Sequence, residues 1–349
     1  MLAGPIPEET HATCEQCAMC PQPGDSPSGS PLFFNPRTKC CTYMPRLPNF
    51  LVGRLLIDDD PDPDPDATKG RATIEVRIEK GVAVTPLGLY PDPVHSLLYQ
   101  RSPNAFGQSL ALRCPHYIEE SGHCGVWRHR ESTCATWFCK FVRGAVGMRF
   151  WQVVRQLLHA VEESLAQWCV QELDMGTAAL QLLFPPPKHP STKSFDGNQL
   201  DGVADRQLYT AIWGNWTGRE REFFKASASL VNPLTWDDVR AICGPEIQIF
   251  ELLTQEAYSS LLSTDLPPVL QVHSFKAAYT GPGYSYISAY NSFDTLKLPK
   301  TLLDVLHYFD GRPTGEVLRS IEAEKNLKLS QSLLRKLVDF GILSAVGEG

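Results

Sequence analysis

No stretch of eighteen or more apolar residues occurs in this 349-residue chain, so no segment has the length and hydropathy of a membrane-spanning helix. The opening residues, MLAGPIPEETHATCEQC, are acidic and lack the apolar centre of a secretory signal. Positive charge is not in excess either, and a net charge of −7 gives no general attraction to nucleic acid. Several reaction signatures are also missing: no G-x-S-x-G, no H-E-x-x-H, no P-loop and no dinucleotide fingerprint. These absences predict a cytoplasmic protein with no membrane contact and no conventional hydrolytic chemistry.

What the chain does have is cysteine, 11 residues in all, and their placement is uneven. One island holds Cys14, Cys17, Cys20, Cys40 and Cys41; a second holds Cys114, Cys124, Cys134 and Cys139. In an untargeted chain of this size, metal ligation is a better first reading of such clusters than disulfides. The C-x2-C-x2-C run can aim three sulfurs at one centre, and Cys20-Pro21 matches part of a ferredoxin run. Neighbouring Cys40 and Cys41 can both serve only where the backbone turns sharply or where two metals lie close. Lys39 beside that pair also makes Cys40 and Cys41 the candidates for a nucleophilic thiol.

Island two, RCPHYIEESGHCGVWRHRESTCATWFCKF, places Gly122 and Gly125 around Cys124, which suits a tight turn. Tyr117, Trp127, Trp137 and Phe138 are candidates for an apolar wall, and Arg128, Arg130 and Lys140 for offsetting thiolate charge. His116, His123 and His129 read as surface groups or as supports of the ligands more readily than as ligands. Cys169 and Cys243 stand alone and read as core or boundary thiols.

The order Cys114-Pro115, Gly122-x-Cys124, Val126-Trp127, Arg130, Cys134, Cys139 resembles the second half of the YkgJ-type CxxCxxCC proteins, a family described as zinc- or iron-chelating. The resemblance covers residues 14–139. It departs from the family where 19 residues separate Cys20 from Cys40 and where Arg130 is followed by Glu131. It implies metal chelation, with Cys14, Cys17, Cys20, Cys40, Cys41, Cys114, Cys124, Cys134 and Cys139 as the ligand pool. A [4Fe–4S] cluster is the first expectation and zinc the alternative, with one centre or two left open.

Six aspartates and three prolines between Asp58 and Asp66 read as a solvated loop. In ATIEVRIEKGVAVTP, the alternation Ile74, Val76, Ile78 before Glu79-Lys80-Gly81 predicts a β-hairpin. Residues 146–174 predict an amphipathic helix, with Phe150, Val154, Leu157, Val161, Leu165 and Trp168 on one face. Residues 185–198 read as a linker, and the stretch after it as mostly helical. There Trp213, Trp216, Arg219 and Glu220 read as helix packing or as a binding surface. Strands are expected around Gly281-Pro282-Gly283. Three short helices then end in a strand at Ile342-Leu343, with Ser330 able to cap the third. That C-terminal pattern resembles winged-helix units, including those that bind leader peptides.

The expected class is α+β: a cysteine-rich metal-binding domain with a β-hairpin over residues 1–145, a helical region over 146–265, and a winged-helix-like domain over 266–349. The expected function is an iron–sulfur redox or modifying protein acting on a peptide or small metabolite. The alternatives are a zinc-binding adaptor that recruits a protein or peptide through its C-terminal domain, and a DNA-binding redox sensor reading DNA with Arg335 and Lys336.

Overall fold

Residues Pro65–Lys80 form a helix, where the alternating valine and isoleucines had pointed to a β-hairpin. The reason lies at its ends and on its buried face. Asp64 caps the start by accepting from the Asp66 amide, Pro65 occupies the first turn, and Gly81 at φ +71° closes the end in the left-handed conformation. Ile74 and Ile78 lie one turn apart and are buried, whereas Val76 between them is 49% exposed. The computed structural model describes residues 1–10, 14–21, 33–57, 64–185 and 200–347. Most of the aspartate–proline run and the 185–198 linker reading lie outside them.

The architecture is α+β, with short antiparallel sheets of two or three strands set among helices. No helix among the described residues is long and apolar enough to cross a membrane. The chain divides into two compact units. One gathers Met1–Met19, Trp137–Val154 and Glu251–Gly349; the other gathers Cys20–Thr136 and Arg155–Phe250.

In the second unit, Trp213 is fully buried with the rings of Phe223 and Phe224 edge-on to it at 5.5 and 5.6 Å. This settles Trp213 as packing. Trp216 joins the same cluster, and Arg219 lies 4.4 Å over its ring. The helix Asn49–Ile57 presses on the helix Glu220–Val231 so closely that a Cβ on Gly53 would lie 1.9 Å from the Phe224 carbonyl. A second core joins Phe50 and Leu51 to Leu157, Val161 and Leu165 of the long helix Gly144–Glu172, with Cys169 fully buried among them. The expected amphipathic face is therefore the one that packs.

In the first unit, strands Asp310–Pro313, Val269–Val272 and Leu343–Ala345 form an antiparallel sheet with Val269–Val272 central. Strands Lys276–Thr280, Tyr284–Ser288 and Leu296–Pro299 form another, turning at Gly281–Gly283. Helices Thr314–Lys325 and Gln331–Asp339 cover a core of Leu302, Val305, Phe309, Val317, Ile321 and Leu337. Ser330 caps the latter helix by accepting from the Leu333 amide at 3.2 Å. The expected first helix of this region is short, Lys300–Leu303, followed by a 3-10 turn at Leu306–Tyr308.

Candidate functional site: a half-buried set of thiols

The backbone does turn sharply at the vicinal cysteines. The Lys39 amide donates to Asn35 O at 2.8 Å and the Cys41 amide to Thr38 O at 2.9 Å, while Lys39 takes φ +49°. Buried Thr38 and Thr42 fasten this turn to Gly107, through Thr38 Oγ1 to Gly107 O and Gly107 N to Thr42 Oγ1. Lys39 Nζ donates to Gly122 O at 2.7 Å, so its charge serves the island-two hairpin. The Cys114 amide donates to Cys41 O at 2.7 Å. That bond brings the two islands together.

Cys124 arrives on a two-stranded hairpin, Tyr117–Ile118 against His123–Cys124, with Gly122 at φ +71° in its turn. The hairpin seats against the helix Pro65–Lys80 at two glycines, since a Cβ on Gly70 would lie 1.8 Å from Gly125 O. Cys134 sits on the short helix Ser132–Thr136, whose start is capped by buried Glu131. Its carboxylate accepts from the Thr133 amide at 2.6 Å and the Cys134 amide at 2.7 Å.

These cysteines sense one another. The Cys41 thiol rises well above its ordinary value, first because it hydrogen-bonds to Cys40, then through burial and the charges of Cys40, Cys114 and Cys124. Burial pushes Cys114 up to about 12, although the His116 amide and the Arg77 charge oppose the rise. Burial also raises Cys124 and Cys134; for Cys134 the adjacent Glu131 carboxylate adds to the effect. Cys41, Cys114, Cys124 and Cys134 are free thiols. At neutral pH the resting state of this set is protonated.

Arg77 and His116 complete the site. His116 is buried, and Arg77 is only 9% exposed. Arginine can only donate, so His116 Nε2 accepts from Arg77 Nη1 at 3.3 Å. Nδ1 then carries the proton and donates to Thr73 Oγ1 at 2.7 Å, leaving the Thr73 hydroxyl to donate to Gly70 O at 2.6 Å. Burial and the Arg77 charge take the His116 pKa down to about 3, so the ring is neutral. Arg77 also donates to Tyr90 O. Burial lowers it to about 10, against the opposing charges of Cys114 and Asp92.

Among the described residues, no group of three or more histidine, cysteine, aspartate or glutamate side chains could hold a metal ion. This overturns the expected [4Fe–4S] or zinc centre at Cys14, Cys17, Cys20, Cys40, Cys41, Cys114, Cys124, Cys134 and Cys139. The iron–sulfur enzyme, the zinc adaptor and the resemblance to the CxxCxxCC chelating family fall with it. Among the described residues the two islands bring no three donor side chains to one point, which is what a metal centre requires.

The flanking expectations change as well. Both ring nitrogens of His116 are engaged, and His123 Nδ1 lies 3.1 Å from Asp66 Oδ2. Only Tyr117 of the proposed aromatic wall is buried; Trp127 and Trp137 are 45% and 41% exposed. Arg130 lies 3.5 Å over the Trp127 ring and donates to Cys134 O. The DNA-sensor reading loses Arg335, one of its two contact residues. Arg335 Nε bonds Asp339 Oδ1 at 2.9 Å, and its Nη groups bond Asp265 O and Ser263 O. Nothing in this arrangement supports leader-peptide modification.

Arg77 was not recognisable from sequence, where it sits in what reads as a strand. Its signal is an arginine one turn beyond Thr73 on the buried face of a helix. No family model, curated protein or solved structure matches the chain.

Proposed function

We propose that the chain is a metal-independent thiol redox protein, in which cysteines of the second unit interconvert between paired thiols and a disulfide. The observation that carries this reading is the bond from the Cys114 amide to Cys41 O, which joins the two islands and puts Cys40, Cys41, Cys114, Cys124 and Cys134 within electrostatic reach of one another. Disulfides in reducing compartments are mostly transient and redox-sensing, which matches the cytoplasmic expectation. Raised thiol pKa values keep the reduced form unreactive at rest, so the site suits slow, condition-dependent oxidation rather than rapid nucleophilic turnover. Two thiols give up two electrons and two protons, which reduce one low-molecular-weight disulfide to two thiols.

The experiment is thiol counting by alkylation and intact-mass measurement, before and after oxidised glutathione, with and without a chelator. The reading expects one thiol pair to be lost on oxidation, to return with reductant, and to be indifferent to chelator. An unchanged count after oxidation, or thiols that alkylate only once a chelator is added, contradicts it.

The region 266–349 fits a winged-helix-like arrangement, on the support of its capped helix Gln331–Asp339 beside the sheet of Leu343–Ala345. In this reading residues 1–145 hold the thiols, 146–265 the helical region, and 266–349 the part that meets a protein partner. Chemical cross-linking of the full chain in cell extract, with the adducts mapped by mass spectrometry, tests that assignment: adducts confined to residues outside 266–349 contradict it.

A further inference from the structure

We propose that the redox bond closes between Cys41 and Cys114, an assignment that rests on the thiol reading above. The possible pairs differ in backbone geometry. Cys40 and Cys41 are consecutive and joined by a trans peptide, which fixes their Cα atoms about 3.8 Å apart. A relaxed disulfide spans roughly 4.4–6.8 Å between Cα atoms, so closing the vicinal pair strains the turn. Cys41 and Cys114 instead belong to two segments whose backbones are joined by the bond from Cys114 N to Cys41 O at 2.7 Å. Bond lengths on either side of that contact hold the two Cα atoms within about 6.6 Å, which the disulfide range admits.

The surroundings discriminate further. Cys134 has the Glu131 carboxylate at its thiol, and a neighbouring negative charge opposes the thiolate that exchange requires. Burial raises Cys114 as well, but two neighbours oppose the rise there. Its sulfur accepts from the His116 amide and lies within the field of Arg77, a buried cation that hydrogen-bonds a neutral histidine and a carbonyl. Cys114 is 7% exposed and Cys41 is half-buried, so the oxidant meets Cys41 first.

The steps balance. The Cys41 thiolate attacks one sulfur of a low-molecular-weight disulfide, breaking that S–S bond and expelling a thiolate that takes up the proton Cys41 has shed. The Cys114 thiolate then attacks the Cys41 sulfur and expels the second small thiolate, which takes the Cys114 proton. Two electrons pass from the protein pair to the oxidant, and the new bond spans 73 residues of chain.

The test treats the full chain with oxidised glutathione, digests it without reductant and maps the cross-links by mass spectrometry. The expected product joins the peptide holding Cys41 to the peptide holding Cys114. Cys243→Ser, outside the thiol set, should form it at a rate within twofold of the parent. Cys114→Ser should instead stop at a glutathione adduct on Cys41, with thermal denaturation confirming that the variant folds; Cys114→Ala serves if the serine does not. A Cys40–Cys41 bond, or a bond from Cys114 to Cys124 or Cys134, overturns the pairing and leaves the thiol reading standing. Absence of any disulfide overturns both.

Discussion

The Cys114 amide donates to the Cys41 carbonyl at 2.7 Å, and so ties together two chain segments 73 residues apart. The two cysteines are neighbours because their backbones are bonded. The organising element is polypeptide, and its consequences are testable through the residues around it.

Arg77 should control the proton on Cys114. Burial raises that thiol and the Arg77 charge lowers it, so Arg77→Met moves the pH profile of Cys114 alkylation upward. A loss of about tenfold in rate per pKa unit is expected at a fixed pH on the alkaline side of neutral. Arg77→Lys should restore most of it. Cys124, which answers to Arg130, should be unaffected. Peptide-resolved alkylation reads all of these, and parallel slowing of Cys114 and Cys124 would indicate a structural effect only.

Glu162 should make stability depend on pH near neutrality. Burial raises its carboxyl to about 7, the bond from Ser132 Oγ at 2.8 Å opposing the rise and Glu131 adding to it. The folded-state pKa exceeds the unfolded one, so the contribution is fully present below about pH 4.5 and is lost as pH rises through 7. Glu162→Gln mimics the protonated acid and keeps an acceptor for Ser132. It should raise the melting temperature at pH 8, by an amount corresponding to on the order of 2 kcal/mol, and flatten the profile between about pH 5 and 8. Melting curves across that range decide it; a slope unchanged by the substitution counts against the assignment.

Gly70→Ala should disrupt the seat of the hairpin that carries Cys124. Its Cβ would lie 1.8 Å from the Gly125 carbonyl, a backbone atom with no rotamer to yield. A cost of roughly 1–3 kcal/mol is expected, as for overpacking elsewhere. Faster Cys124 alkylation should accompany it, and chemical denaturation measures the first part. A fully stable variant with a protected Cys124 would mean the two elements separate easily.

In the first unit, Asp339 is held by Arg143 at 2.7 and 2.9 Å and by Arg335 at 2.9 Å. Asp339→Ala leaves two guanidinium groups without their carboxylate and should cost about 3 kcal/mol in a denaturant titration. Arg335→Gln should likewise lower stability without changing duplex binding, because that side chain is committed to Asp339 and to backbone carbonyls.

Parts of this were open to reading in the sequence and parts were not. The three-to-four spacing from Phe150 to Leu165 marked the long helix because one face alone is buried along that stretch. Ser330, Gly281 and Gly283 marked the C-terminal elements because cap and turn positions admit few residue types. Ile74, Val76 and Ile78 misled because an i, i+4 pair with a third apolar residue between them also alternates. Asp64-Pro65 and Gly81 carried the decisive end signals. At the site, the two islands announced that distant cysteines assemble. Their spacing could not report that Cys14 and Cys17 belong with a different unit from Cys20, or that burial leaves Cys41, Cys114 and Cys134 protonated. Arg77 and His116 become a pair only when a helix and a loop 39 residues apart come together.

The most direct test of the thiol account is a redox titration of the whole protein in glutathione buffers of varied ratio, quenched by alkylation and read by mass. The account predicts one reversible two-electron transition that removes a pair of alkylatable thiols and is lost in Cys114→Ser. A thiol count that stays constant across the accessible potentials, or a transition unaffected by Cys114→Ser and Cys41→Ser, would contradict it.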